Sequence, residues 1–314
     1  MNLIDVTLRE SVYYGKGLSN EEGLRYLSEM KKNISNKYVQ YVEIGYINND
    51  VEAPLNYSAD YINQAAEICK DTFKVVAMMH MPKSDLTKWD PEVISRIDLV
   101  RVVAGQNIKP ELRDYVEYFH SLGVKVSVNV TYVAGLTDEK IIEEIEKARS
   151  MGIDYFYCAD SSGSFTTKSA DRICRLMLDH CQDMIPGLHL HDHMQMALAN
   201  ALEAQDCGIH MTDVSITGAG KGGGNLKTEQ AVLTLYGPEA VNYETLNGLR
   251  QMMLFFSDLI GQDGNLFVEN LIAFLTGVYR LNLKDTDALE KDSQMDPDKY
   301  MRLVSERYTP FAAE

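Results

Sequence analysis

Short runs of apolar and β-branched residues alternate along this chain with longer segments in which apolar residues recur every three or four positions. Eight such runs predict β-strands, at 3–8, 41–45, 73–79, 98–103, 124–130, 155–160, 187–191 and 212–217. The intervening segments predict helices, several of which end at a glycine, among them Gly123, Gly152 and Gly208. Because short strands rich in valine and isoleucine are typical of sheets buried on both faces, the repeated β/α unit predicts an α/β fold of the TIM (β/α)8 barrel type. An open doubly wound sheet is the alternative, which no GxGxxG motif after the first strand supports.

The strand pattern ends near Pro238, and helical periodicity alone continues after it. Helices are predicted at 242–262, 265–281 and 296–308, and the polar stretch 282–294 is predicted to be a connection. We therefore expect a barrel domain at 1–237 and a helical C-terminal extension at 238–314. The extension could pad the barrel, cover its mouth, or form a surface for a homodimer or a partner enzyme.

Composition limits the partners that we expect. The chain carries 46 acidic and 30 basic residues, a net charge of -16, which argues against nucleic acid and against an anionic membrane surface. Its five cysteines form no CxxC pair, so a disulfide framework is not expected. We see neither a signal peptide nor an apolar run of the ~20 residues that a membrane span needs, and we expect a cytoplasmic protein.

The segment HLHDH, which starts at His189, is where candidate chemistry is most concentrated. Alternate residues of a strand point to opposite faces, so His189 and His191 share one face, and the helical pattern that follows places them at the strand's C-terminal end. Parallel α/β folds bind ligands at that end. The pair therefore indicates a metal site, although an HxH segment alone is often structural.

Other polar residues are expected at the same mouth, because each of them follows or ends a predicted strand. They are Arg9, Glu10, Glu43, His80, Asn129, Thr131, Asp160 and Asn225. Imidazole, carboxylate and amide ligands together suit a divalent ion such as Mn²⁺, Zn²⁺, Co²⁺ or Mg²⁺. Simpler readings stay open: Arg9 and Glu10 as a surface pair, Glu43 as an ion-pair partner within the barrel, and Gly218 to Asn225 as a flexible turn.

Five motifs, taken in order, resemble the DRE-TIM metallolyases, the superfamily that includes 3-hydroxy-3-methylglutaryl-CoA lyase, isopropylmalate and homocitrate synthases, the pyruvate carboxylase transferase domain and 4-hydroxy-2-oxovalerate aldolase. The motifs are DVTLRES, VEIG, ADSSG, HLHDHMQMALANALEA and GAGKGGGN, and the resemblance covers residues 1 to about 237. It implies that Arg9 steadies an enolate oxygen, that Glu43 matches the glutamate at the end of the second strand, and that His189, His191 and Asn225 hold the metal.

Two departures from the family pattern affect the chemistry that it implies. Glu10 stands where the family has its metal-binding aspartate, which moves the carboxylate by one methylene. Tyr13 stands where the aldolases carry a histidine base, so Tyr13, His80 or a metal-bound water could serve as the base. The cysteine that the lyase branch carries after the eighth strand is absent, which counts against 3-hydroxy-3-methylglutaryl-CoA lyase.

The resemblance thus implies a metal-dependent aldolase acting on a small 4-hydroxy-2-oxo acid, closest to the 4-hydroxy-2-oxovalerate aldolase branch. Mn²⁺ is the ion that we expect first, held by Glu10, His189, His191 and Asn225. Alternatives are a Claisen-type acyl-CoA synthase on the same barrel and a non-catalytic barrel that binds a carboxylate ligand or a partner domain. Tyr279 could reach the mouth, or it could be a core residue of its apolar helix.

Overall fold

Eight parallel strands form a closed barrel in this computed structural model, which describes residues 1–15, 17–49 and 54–310. The strands follow one another around the barrel in chain order, and β1 pairs with β8 to close it. Their bounds are β1 Asn2–Asp5, β2 Tyr41–Tyr46, β3 Lys74–Met79, β4 Leu99–Gly105, β5 Lys125–Val130, β6 Tyr155–Asp160, β7 Ile185–Leu190 and β8 Met211–Val214. The predicted TIM barrel is confirmed.

Helices cover the outside of the barrel. They are α2 Asn20–Asn33, α3 Ala59–Cys69, α4 Pro91–Ile94, α5 Leu112–Ser121, α6 Asp138–Ser150, α7 Thr167–His180, α8 Ala197–Cys207 and α9 Thr228–Leu235. The short helix α1 Thr7–Glu10 lies instead at the end of β1 and is fully buried. Several begin at the side-chain caps that their sequences provide, such as the capping box of Ser19 and Glu22 on α2. Their apolar faces pack on the outward residues of the strands, so the main hydrophobic core lies between the two layers.

The first strand is shorter than its apolar pattern predicts. It ends at Asp5, because the Asp5 carboxylate accepts hydrogen bonds from the backbone N–H and the hydroxyl of Thr7, at 3.2 and 2.9 Å, and turns the chain into α1. Arg9 and Glu10 therefore lie on a helical turn above the end of the strand. Both are buried, with 9% and 2% of their surface exposed, so the surface-pair reading is wrong.

In the described part of the chain after α9, up to residue 310, there are four more α-helices: α10 Tyr243–Leu259, α11 Gly264–Val278, α12 Leu283–Ser293 and α13 Pro297–Arg307. The prediction of a connection at 282–294 is wrong, because a capping box of Asn282 and Asp285 starts α12 there. Helix α10 packs on α2, where a Cβ added to Gly248 would lie 2.1 Å from the Asn33 carbonyl oxygen. Within the described ranges, no helix combines the length and apolarity that crossing a bilayer requires.

Candidate active site

A chain of buried charges runs across the barrel mouth from α1 to β8. The Arg9 guanidinium donates hydrogen bonds to the carboxylates of Glu10 and Glu43. On the other side of Glu43, Arg101 Nη1 lies 3.2 Å from its Oε1 atom, and Arg101 Nη2 lies 2.6 Å from Oδ2 of Asp213. All five side chains lie at or below 10% exposure. Elements far apart in sequence are thus joined by one continuous set of ion pairs.

The charged forms of these groups stabilise one another. Burial alone would lower the pKa of Arg9, but the charges of Glu10 and Glu43 raise it well above its ordinary value. Burial likewise raises the pKa of Asp213, but Arg101 and His189 outweigh that effect and leave it below its usual value. Three carboxylates face two guanidiniums in this set, so one negative charge is left over at the mouth.

The two histidines of the HLHDH segment come together as predicted. Their rings meet edge to face, with centroids 5.0 Å apart. His189 Nδ1 lies 2.8 Å from Oδ2 of Asp213. Burial, together with His189, His193 and Arg9, lowers the pKa of His191 to about 3, so its imidazole stays neutral, which is the form that binds metals.

Among the residues that the structure describes, three buried polar atoms of the predicted metal set have no hydrogen-bond partner: Glu10 Oε2, His191 Nδ1 and Asn225 Oδ1. The Asn225 side chain is held in place, because its Nδ2 atom donates to the Ala219 carbonyl at 2.9 Å. Its backbone pairs with that of His191. Unsatisfied buried acceptors of these types are what a divalent cation would complete, so the residues fit such an ion by their donor chemistry.

A second group of candidate metal ligands lies on the outside of the barrel. In the described ranges, the group of three metal-ligating side chains with ligand atoms within 4.8 Å of one another is Asp171, Glu203 and Cys207, on the outer helices α7 and α8. Asp171 there is already paired with Arg175 at 2.7 Å. Within the described residues, Glu10, His189 and His191 do not form a group that meets this criterion, and the Glu10 carboxylate is held by Arg9.

The two side chains considered as bases differ in their surroundings. His80 stacks on Tyr46, its Nδ1 atom has no partner, and burial, Lys83 and Arg9 lower its pKa below 6.5. Tyr13 is 51% exposed, and partial burial and the Glu10 charge raise its pKa above 10 despite Arg9. A neutral imidazole is a better base near neutral pH than a phenol of raised pKa, so these surroundings favour His80.

The remaining predicted mouth residues are part of the local framework. Asp160 accepts hydrogen bonds from the backbone N–H groups of Ser164 and Phe165 at 2.9 and 2.8 Å, which shapes the loop after β6. Asn129 Oδ1 accepts from the Ser127 hydroxyl at 3.0 Å. Tyr279 lies buried in the main hydrophobic cluster.

Three residues of the site were missed from the sequence. Arg101 and Asp213 are charged residues inside apolar strands, a signal that was available, because a charge buried in a barrel strand needs a partner. His193 also joins two loops: its Nδ1 and Nε2 atoms lie 2.9 and 3.0 Å from the carbonyl oxygens of Ser162 and Lys221. These bonds tie the Gly218 to Asn225 loop to its neighbours, rather than leaving it a free turn.

Known proteins with similar sequences are lyases. The family model described as HMGL-like matches residues 97–253. A 4-hydroxy-2-oxovalerate aldolase of Rhodococcus opacus is 23% identical over 237 residues, 73% of this chain and 66% of that protein. An oxaloacetate decarboxylase of Mycobacterium tuberculosis is 31% identical over 139 residues, 44% of this chain and 41% of that protein. The chain thus spans less than two thirds of the length of each.

Solved structures agree on the fold. The N-terminal domain of a putative aldolase from Bacteroides vulgatus superposes with a TM-score of 0.70 at 21% identity, covering 92% of this chain and 99% of that one. The HMG-CoA lyase of Bacillus subtilis gives 0.67 at 17% identity, covering 86% and 97%. With half of its length matched by the family model and the motifs of the DRE-TIM metallolyases in order, the chain belongs to the HMGL-like family.

Proposed function

We propose that this chain is a divalent-metal-dependent lyase that cleaves a small 4-hydroxy-2-oxo acid into an aldehyde and pyruvate. The observation that carries the proposal is the Arg9 guanidinium, buried and fixed by two carboxylates on the same barrel mouth as the histidine pair. A cation fixed in this way is suited to an enolate oxygen, the charge that develops when such a bond breaks. The relatives named as aldolases support the substrate class.

Each residue has a stated part in this proposal. His189, His191, Asn225 and Glu10 would hold the divalent ion, with Mn²⁺ the first candidate, and the ion would polarise the 2-oxo group. His80 takes the proton from the 4-hydroxyl group, the C3–C4 bond breaks, and the C4 carbon leaves as an aldehyde. Arg9 stabilises the enolate of pyruvate that remains, which then takes up a proton at C3.

Decarboxylation of oxaloacetate is a second candidate, favoured by the decarboxylase relative at 31% identity. Loss of CO₂ from C4 leaves the same pyruvate enolate, so Arg9 and the ion would act in the same way. No hydroxyl proton has to be removed in that reaction, so His80 would not be needed. The two reactions can therefore be separated by the effect of changing His80.

The test measures the release of pyruvate. A coupled assay with lactate dehydrogenase detects it through the oxidation of NADH. Purified protein with Mn²⁺ is offered 4-hydroxy-2-oxo acids of several chain lengths and, separately, oxaloacetate above its spontaneous rate of decay. Pyruvate from a hydroxy acid supports the aldolase, and pyruvate from oxaloacetate alone supports the decarboxylase. Free thiol appearing from acetyl-CoA with a 2-oxo acid would favour the acyl-CoA synthase instead, and no product from folded protein would overturn the proposal.

A further inference from the structure

Arg101 is a fully buried charge inside the barrel, and the partners described for it lie on other strands. Its side chain is 0% exposed, yet its two terminal nitrogens reach carboxylates on two other strands, Glu43 on β2 and Asp213 on β8. Burying an arginine together with two carboxylates has a large desolvation cost. Apolar side chains of similar volume would fill the same space without that cost. Its presence is therefore better explained by what it holds than by barrel stability.

Through Asp213, Arg101 acts on His189. The same Asp213 oxygen, Oδ2, receives Arg101 at 2.6 Å and His189 Nδ1 at 2.8 Å. A carboxylate paired with a guanidinium has no proton to donate, so the hydrogen in the second contact must come from the imidazole. His189 is thus held with its proton on Nδ1, which leaves the lone pair of Nε2 available for an ion.

Through Glu43, the same guanidinium acts on Arg9. One Glu43 oxygen accepts from Arg101 at 3.2 Å, and the other accepts from Arg9 Nε. The Tyr157 ring also holds Arg101 in place, because the guanidinium lies 4.5 Å from the centre of that ring. Tyr157 sits close to β7 only because residue 187 is glycine, where a Cβ would lie 2.4 Å from that ring.

We propose that Arg101 is a positioning residue that fixes two groups at once: the Nδ1–H tautomer of His189 through Asp213, and the orientation of Arg9 through Glu43. The inference rests on the proposed function for the metal that His189 would bind. The planar fork of arginine can span two carboxylates, whereas the single ammonium of a lysine cannot hold both in the same geometry.

The test measures the tautomer of His189 and the affinity for Mn²⁺ separately, in the variants Arg101→Lys and Asp213→Asn. Nitrogen-15 NMR of the metal-free protein reports the tautomer of His189, and EPR of free Mn²⁺ reports affinity. We expect the wild type to hold the Nδ1–H form. In Asp213→Asn, the amide oxygen takes the place of Oδ2 between the Arg101 guanidinium and the ring, so the Nδ1–H form should remain. In Arg101→Lys, the Asp213 carboxylate is no longer held against the ring, so some Nε2–H form should appear. Both variants should lose 10- to 100-fold in Mn²⁺ affinity.

Arg113→Lys is the matched control, because Arg113 is exposed on α5 and its guanidinium donates to the Ser150 backbone carbonyl at 3.1 Å, on the outside of the barrel. It should bind Mn²⁺ as the wild type does. Circular dichroism of each variant confirms folding, and the Mn²⁺ affinity of the nearly isosteric Asp213→Asn carries the test if Arg101→Lys does not fold.

Wild-type affinity together with an unchanged Nδ1–H signal in both variants would overturn the inference, even if the wild type releases pyruvate. Conversely, a tautomer change in a protein that releases no pyruvate would leave this inference standing and remove the proposed function.

Discussion

The imidazole ring of His80 stacks on the phenol ring of Tyr46, with ring centroids 5.4 Å apart and planes inclined by 23°. The stacking fixes the plane of the imidazole after β3. Because Nδ1 is buried without a partner, the ring has a free proton-accepting position beside the mouth. Tyr13, the alternative at the family's base position, is half exposed.

We expect His80→Asn to lower kcat for cleavage of a 4-hydroxy-2-oxo acid by about 10²- to 10⁴-fold, the range for loss of a general base. Tyr13→Phe is the control and should stay within about threefold of wild type, because its phenol, with a raised pKa, takes no proton near neutral pH. Since the pKa of His80 is lowered, kcat should be constant near neutral pH and fall only below pH 6.5 as the ring becomes protonated. A large loss in Tyr13→Phe with none in His80→Asn would assign the base to Tyr13.

Arg9→Lys tests the stabilisation of the enolate. Lysine keeps the charge but cannot bond to Glu10 and Glu43 while presenting the same face to substrate, so we expect kcat to fall by about 10²- to 10³-fold. Steady-state pyruvate release gives the measurement. Arg175→Lys, an exposed exchange on α7, should leave the rate unchanged. If Arg9→Lys also leaves the rate of pyruvate release unchanged, another group stabilises the negative charge of the enolate.

Two ligand groups compete for the role of metal site, and one pair of variants separates them. Glu10→Gln keeps the shape of the side chain and removes its charge, so we expect at least about tenfold weaker Mn²⁺ binding by isothermal titration calorimetry. Asp171→Asn removes a ligand of the outer group and should not alter the affinity. The reverse outcome would place the ion on α7 and α8 and remove it from the proposed chemistry.

Gly248→Ala and Gly277→Ala each add one methyl group to a helix of the extension. We nevertheless expect them to change the free energy of unfolding in opposite directions. At Gly248 the new Cβ would meet the Asn33 carbonyl at 2.1 Å, so α10 must move from α2, which costs about 1 to 3 kcal/mol. At Gly277 nothing lies within 4 Å, so the higher helix propensity of alanine should add up to about 1 kcal/mol. Urea unfolding gives both values. Stabilisation by both variants would show that α10 is not closely packed on α2.

The barrel could be predicted because each of its elements has a period that can be read locally. Segments such as 124–130 and 155–160 have the apolar run of a buried strand whatever surrounds them. Helix α12 was not predicted because it buries little besides Leu289 and therefore has no apolar stripe. The capping box of Asn282 and Asp285, however, could be seen in the sequence. Its boundaries follow from capping rather than from hydrophobic contacts. The division of the chain at residue 237 stays a prediction.

The candidate site was only partly predictable, since sequence gives side-chain type but not pairing. His189 and His191 could be placed together because they share one strand. Arg101 and Asp213 are brought together only when β8 closes on β1 and the register of the whole ring is fixed, which no local pattern encodes. The role of Glu10 likewise depends on the turn made by Asp5 and Thr7, which sets α1 apart from the strand.

Helix α10 touches both α2, which follows β1, and the short turn at Ile216–Gly218, which follows β8. It therefore lies across the joint where the first and last strands meet, with most of the chain's length separating it from α2. Splitting that joint would require the helix to detach as well. Helix α10 thus stabilises the closure of the barrel from outside, so a helix that is remote in sequence from β1 helps to keep the first and last strands paired.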